Sequence, residues 1–118
     1  MKRILTLALV MVIFEAKAQW SAVGGIGALN DLIATICTDA AGNIYAGGRF
    51  SNSSGNQYVA KWTKATNTWG ELGVNNSLKA NGNILSIILY KSCNLYASGG
   101  FTNATGYYVA KCDGTSWS

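Results

Sequence analysis

Apolar and polar positions alternate along the chain in short blocks of strand length. Asn83–Tyr90 (NILSIILY) is a nearly unbroken, β-branched apolar run, the pattern expected of a strand buried on both faces. Leu32–Cys37 (LIATIC) is a similar run, and a polar turn follows each of them. A helical period is absent after residue 19. The pattern therefore predicts an all-β chain.

This arrangement occurs twice. NIYAGGRFSNSSG at 43–55 returns as NLYASGGFTNATG at 94–106, and YVAKW at 58–62 returns as YVAKC at 108–112. With the tryptophan that follows, twelve positions are identical, and the offset falls from 51 to 48 residues through deletions in polar loops. We expect the members of each pair to occupy equivalent environments, including Tyr45/Tyr96, Phe50/Phe101 and Val59/Val109.

Each unit contains four predicted strands. They cover 32–37, 44–48, 58–62 and 69–73 in the first unit, and 83–90, 95–99, 107–112 and a strand opening with Trp117 in the second. Four short antiparallel strands in ~40–50 residues, repeated, are typical of propeller blades. The predicted fold is thus a partial β-propeller of two four-stranded antiparallel blades: repeat one at about 20–68, repeat two at about 69–116, and the start of a third at 117.

The first eighteen residues have the composition of a secretory signal peptide. Met1–Arg3 is basic, Ile4–Phe14 is an uncharged run of eleven residues, and Ala16–Ala18 supplies the small residues of a cleavage site. Eleven residues are fewer than the ~20 that a membrane-spanning helix needs. We predict cleavage after Ala18, a mature chain of 19–118, and a secreted or cell-surface location.

The repeat, GN-[IL]-Y-A-x-G-x-F-x-N-x-x-G followed by YVAKW and a further Trp, resembles those of secreted bacterial β-propeller proteins of the Kelch-like and SBBP type. The resemblance covers 20–118 and implies binding of a protein or glycan on the propeller faces. A ring needs roughly four to eight blades, whereas this chain contains two. The resemblance therefore implies either an N-terminal fragment of a larger propeller or closure of the ring by homo-oligomerisation.

The composition of the chain excludes several kinds of catalytic and binding site. The chain has no histidine, which excludes Ser–His–Asp catalysis and His-ligated metal sites. Without residues 1–18 the charge is +2, from six basic and four acidic residues, and the basic ones are scattered, so nucleic acid is not a predicted partner. The loop Asp39–Asn43 has too few carboxylates for calcium and is interpreted as a hairpin turn, as is Asp113–Thr115. We predict no catalytic, cofactor-binding or metal-binding residue.

Two residues are candidate ligand contacts. Arg49, the only arginine of the mature chain, could hold a carboxylate or a sugar, although Gly100 takes its place in the second unit. Trp62 could stack on a sugar, although repeat-spaced tryptophans more often pack between blades, and Cys112 replaces it.

Three Asn-x-Ser/Thr sites begin at Asn52, Asn75 and Asn103, and their simpler role is local hydrogen bonding in turns. The three cysteines do not occupy matching repeat positions. Cys37 and Cys112 are expected to be small buried hydrophobes. Cys93, in a turn, is able to pair with Cys112 or with another chain.

These observations favour an extracellular binding or scaffold module without catalysis. Two alternatives stay open: an oligomeric propeller lectin that binds glycans, and the N-terminal part of a larger propeller enzyme whose catalytic groups lie elsewhere.

Overall fold

A computed structural model describes residues 20–25, 27–91, 94–102, 106 and 108–118 of the chain. The predicted signal peptide, Cys93 and Asn103 lie outside the described residues. The described chain is all-β, without a helix, and its strands form two antiparallel sheets. The first sheet contains β1 (Ile33–Thr38), β2 (Ile44–Gly48), β3 (Ala60–Thr63) and β4 (Thr68–Glu71), in that order. The second contains β5 (Ile84–Tyr90), β6 (Asn94–Gly99) and β7 (Val109–Cys112).

The predicted strands are found in both units. The first unit has all four, whereas the fourth strand of the second unit is reduced to one bridge, between Cys112 and Trp117. Beside that bridge, Lys111 and Ser118 exchange two backbone hydrogen bonds of 2.9 and 2.8 Å. No helix in the described ranges is long and apolar enough to cross a membrane.

The predicted hairpin turn after β1 is held by one carboxylate. Asp39 Oδ1 accepts hydrogen bonds from the backbone N–H groups of Ala41 and Asn43, at 3.0 and 2.9 Å. Its Oδ2 accepts from the Asn43 amide and the Tyr45 hydroxyl, at 2.9 and 3.0 Å. Gly42 takes a φ of 86°, which is easiest for glycine. The interpretation of this loop as a turn is confirmed.

Both sheets share one backbone irregularity. The pairing of the first two strands shifts between Ile33 and Thr35 in the first sheet, and at the equivalent Ile84 and Ser86 in the second. A glycine lies opposite each shift, Gly48 or Gly99. A Cβ on Gly48 would overlap the carbonyl oxygen of residue 32, and one on Gly99 that of residue 83. The glycine thus permits a close approach of two backbones.

Side chains alternate between the two faces of each sheet. We call "front" the face of the first sheet that carries Thr35, Cys37, Tyr45, Gly47 and Val59, together with its repeat-equivalent in the second sheet. The opposite faces are called "rear". The rear of the second sheet packs on the front of the first, since β5 contacts β1 and β2. The main core lies between them: Tyr45, Val59, Leu72, Leu78, Ala80, Ile84, Ile87, Leu95, Ala97, Phe101, Ala110 and Cys112.

Two expectations about burial are wrong. The run in β5 is not buried on both faces, because Ile88 on its front side is 61% exposed. Val59 is fully buried, whereas its counterpart Val109 is 57% exposed. Tyr45 and Tyr96 also differ, the first buried and the second half-buried. The cause is the same each time: within the described residues nothing covers the front of the second sheet.

Phe50 and Phe101 are equally buried, as predicted, although they belong to clusters of different size. Both are completely buried on the rear side of their sheets. Phe50 shares its small cluster with Ala46 and Ala60, and the main core that contains Phe101 also contains the repeat-equivalent Ala97 and Ala110.

Candidate functional site

Arg49 is held by a carboxylate of its own chain. Its guanidinium contacts Asp31 Oδ1 through Nη2 and Nε, both at 3.0 Å. The hydrogen bond from Arg49, helped by the backbone N–H of Leu32, holds the pKa of Asp31 below its ordinary value. Gly82 and Gly100 replace both members of the pair in the second unit. Arg49 therefore joins the start of β1 to the end of β2 in one unit only.

Trp62 is engaged within its own sheet. It is half-buried on β3, directly opposite Trp69 on β4. Its indole N–H donates a hydrogen bond of 3.1 Å to Asn67 Oδ1 in the turn between these strands. Trp62 thus braces a turn, and neither it nor Arg49 lines the polar cleft described below.

The other repeat-spaced tryptophans connect consecutive units. Trp69 donates its indole N–H to the carbonyl of Val23, at 2.8 Å, and Gly24 lies against its ring with a φ of 74°. Trp117 donates in the same way to Leu72, at 3.0 Å, and Gly73 with a φ of 82° lies against it. We call this arrangement the Trp–Gly contact. It ties each sheet to the segment that precedes it in the chain.

A polar cleft of about 320 Å³ opens beside the first sheet. Its walls come from the turn after β2, from β4 and from the segment that follows β4. The lining residues include Asn52, Tyr58, Trp69, Glu71 and Asn76. Asn52 comes from one of the Asn-x-Ser/Thr sites, and none of these five was predicted as a ligand contact.

Hydrogen bonds fix the polar wall of the cleft. Glu71 accepts from the Asn52 amide at 3.3 Å and from the backbone N–H of Asn76 at 2.8 Å. Asn76 Oδ1 accepts from the amides of Asn52 and Asn56, at 3.2 and 2.9 Å. Asn52 Oδ1 in turn accepts from the backbone N–H groups of Ser54 and Asn56, the turn role predicted for it. The wall is therefore preorganised, and a ligand need not order it.

Two aromatic side chains, Tyr58 and Trp69, also line the cleft. Tyr58 meets the ring of Phe50 edge-on, with centroids 5.0 Å apart and an interplanar angle of 75°. Burial, and to a smaller extent the negative charge of Glu71, raise the pKa of Tyr58, so its hydroxyl stays protonated at neutral pH. Among the described residues this hydroxyl has no hydrogen-bond partner. It is available to a ligand in the cleft.

Residue chemistry limits what the cleft can do. Glu71 is the single carboxylate in its lining, and it is already hydrogen-bonded. No three acidic or cysteine side chains cluster as metal ligands in the described part of the chain. Amide groups, one carboxylate, a phenol and an indole ring form a surface that can bind hydroxyl groups and the apolar faces of a ring.

The two cysteines that the structure describes carry free thiols. Cys112 is buried in the main core and Cys37 is half-buried against it. Burial raises the pKa of both thiols. The prediction that they act as small hydrophobes is confirmed for Cys112 and, more loosely, for Cys37.

No protein-family model, curated protein or solved structure matches this chain. The cleft residues carried one sequence signal that repeat comparison can detect. Glu71 and Asn76 fall at positions where the segment preceding the first sheet has Ala22 and Gly27. A polar residue that a small one replaces at the equivalent repeat position is not required by the shared backbone, and it is therefore a candidate functional residue.

Proposed function

We propose that the chain is an extracellular binding module built from propeller blades, and that its polar cleft takes a neutral, hydroxyl-rich ligand of the glycan class. The blade assignment is supported by the antiparallel order of the first sheet, the shared irregularity opposite Gly48 and Gly99, and the repeated Trp–Gly contact. Export is supported by the sequence of residues 1–18.

The observation that carries the glycan proposal is that the Tyr58 hydroxyl, which has no hydrogen-bond partner among the described residues, shares a cleft with a fixed amide and carboxylate wall. Sugar hydroxyls both donate and accept hydrogen bonds. The Glu71 carboxylate, which accepts only two hydrogen bonds within the wall, has further acceptor sites, and the Tyr58 hydroxyl supplies a donor and an acceptor. Trp69 adds an apolar surface for the ring of the sugar.

Binding to a glycan array, followed by calorimetry with the best ligand, tests this function. Tyr58→Phe removes one hydroxyl and keeps the ring on Phe50, so we expect affinity to fall about five-fold, the worth of one hydrogen bond of about 1 kcal/mol. Tyr108→Phe is the matched control, because Tyr108 is the repeat-equivalent residue and is 64% exposed outside the cleft. Equal affinities for Tyr58→Phe and the wild type, or no glycan bound by the wild type, would refute the glycan proposal.

Export has its own test. The N-terminal residue of secreted protein should be Gln19, read by Edman sequencing or intact mass. Protein that keeps Met1 and stays with the membrane would contradict it.

A further inference from the structure

The front face of the second sheet is an apolar surface without a covering layer. Ser86, Ile88, Tyr96, Ser98 and Val109 line a groove of about 270 Å³ there, and Ile88 and Val109 are 61% and 57% exposed. These five positions are the repeat-equivalents of the front residues of the first sheet, which the second sheet covers. The groove therefore corresponds to the face of the first sheet that the second sheet covers within the chain.

The rear face of the first sheet is open as well. Ile33, Ile36 and Ile44 line an apolar groove of about 350 Å³ together with Trp69 and the segment before β1, and Ile33 and Ile36 are 46% and 63% exposed. Their repeat-equivalents in the second sheet are Ile84, Ile87 and Leu95, all buried against the first sheet. Every one of these six positions is apolar.

The chain thus carries both halves of one interface, one at each end of its sheet pair. We propose that the front of the second sheet binds the rear of the first sheet of a second copy of this chain, repeating head to tail the contact between the two sheets. The interface would continue the established one, because the rear positions are apolar in both sheets and Tyr96 and Val109 repeat Tyr45 and Val59 on the front. This inference does not depend on the glycan cleft.

The contact between the two sheets predicts details of the proposed contact between copies. Within the chain, the backbone N–H of Ile87 donates to Thr35 Oγ1 at 3.4 Å. Between copies, Ile36 of the second copy would donate to Ser86, which retains a hydroxyl at the position of Thr35. Ser98 replaces Gly47, whose Cβ would lie 2.6 Å from Ile84 Cγ2. Ile33 of the second copy therefore has to lie slightly farther out than Ile84 does.

A head-to-tail contact is heterologous, so it closes into a ring when the rotation per copy allows it and grows into a fibre when it does not. Propeller rings contain about four to eight blades. This copy number rests on the proposed blade assignment: if the two units are propeller blades, a closed ring would take two to four copies of this chain.

Two substitutions, one on each half of the interface, test the proposal on the full exported chain. Ile36→Asp blocks only the rear half and Ile88→Asp only the front half, and both side chains are exposed in the single chain, so each variant should fold. We expect native mass spectrometry and light scattering to show a closed oligomer for the wild type. Each variant alone should be a single copy, its association weakened about a hundred-fold or more, because the new carboxylate would be buried without a partner.

Mixing the two variants gives the sharpest outcome. The intact front of Ile36→Asp can still bind the intact rear of Ile88→Asp, so an equimolar mixture should form a one-to-one heterodimer. Val74→Asp is the matched control, since Val74 is 60% exposed and lines neither groove, and it should leave the oligomer unchanged. A wild type that stays a single copy would assign these faces to other partners or to further units of a longer polypeptide, and would overturn the proposal. A mixture without heterodimer would do the same.

Discussion

The two sheets share a sequence pattern but differ in burial. Phe50 and Phe101 are both fully buried, yet Val59 is buried and Val109 is 57% exposed. Phe50 lies in a small cluster on the rear of the first sheet and Phe101 lies in the main core, whereas Val59 is buried in that core beneath the second sheet and no described residue covers Val109. Identical residues therefore contribute differently to stability, depending on the position of their unit in the chain.

The polar residues differ in another way. The first unit carries the Arg49–Asp31 ion pair and the Glu71 cleft, whereas glycines replace Arg49 and Asp31 in the second unit. The backbone tolerates either choice, because the shared irregularity and the Trp–Gly contact are the same in both units. The repeat defines a scaffold, and its loops carry individual chemistry.

The largest expected effect tests whether Phe50 and Phe101 are equally buried. Phe50→Ala and Phe101→Ala should each lower the free energy of unfolding by about 4 kcal/mol, because each removes a completely buried ring. Urea denaturation followed by tryptophan fluorescence measures both. If one substitution cost less than half as much as the other, the two rings would not be equally buried in solution.

The shared irregularity supplies the next test. Gly99→Ala should cost about 3 kcal/mol, because the new methyl group would overlap the backbone carbonyl of residue 83. Gly100→Ala is the neighbouring control, with open space at its Cβ, and should change stability by less than about 0.5 kcal/mol. Thermal melts of the two variants compare them directly. Equal melting temperatures would show that the close approach at Gly99 does not exist in solution.

Substitutions at Val59 and Val109 test whether these equivalent residues are unequally buried. Val59→Ala should cost about 2 kcal/mol and Val109→Ala less than about 0.5 kcal/mol, when unfolding is measured on dilute single-copy protein. At concentrations where copies associate, the cost of Val109→Ala should rise, because association would cover the front face. A cost for Val109→Ala that equals that of Val59→Ala in dilute protein would contradict the described exposure.

The smallest expected effect is a change in how folding stability depends on pH. Partial burial would raise the pKa of Asp39, but hydrogen bonds from Asn43, Tyr45 and Ala41 outweigh it and hold that pKa below its ordinary value. The folded state therefore prefers the carboxylate. Its stabilisation is complete above the unfolded pKa of about 3.9 and is lost as the pH falls through the folded pKa.

Asp39→Asn should accordingly flatten the acid limb of a plot of urea midpoint against pH. It should not abolish that limb, because the pKa values of Asp31 and Asp113 are lowered too. Tyr90 occupies the equivalent position in the second unit and serves as the comparison, since Tyr90→Phe should leave the acid limb unchanged. An acid limb identical in wild type and Asp39→Asn would contradict the assigned role of Asp39.

Local features of the fold could be read from the sequence. Strand positions and turns at Asp39 and Asp113 follow from apolar runs, glycines and side chains that bond to nearby backbone. The burial of Val59 could not be predicted from the sequence, because Val59 is buried in a core that includes residues of the second sheet and of the segment joining the two sheets.

The cleft escaped prediction for a related reason. Glu71 and Asn76 meet Asn52 only after β4 returns beside the turn that follows β2, and their separation along the chain has no periodic signature. Arg49 was predicted as a ligand contact because its partner could not be identified from one sequence. The joint replacement of Arg49 and Asp31 by glycines in the second unit was the available clue.

The Trp–Gly contact has a consequence for how such chains change in evolution. Trp69 reaches back to Val23 and Trp117 reaches back to Leu72, so each Trp–Gly contact ties a sheet to the segment immediately before it. Duplicating or deleting a whole unit of 48 to 51 residues would leave each remaining tie with its usual partner. Unequal recombination between neighbouring units could therefore change the length of the stack in one step, without any compensating substitution in the units that remain.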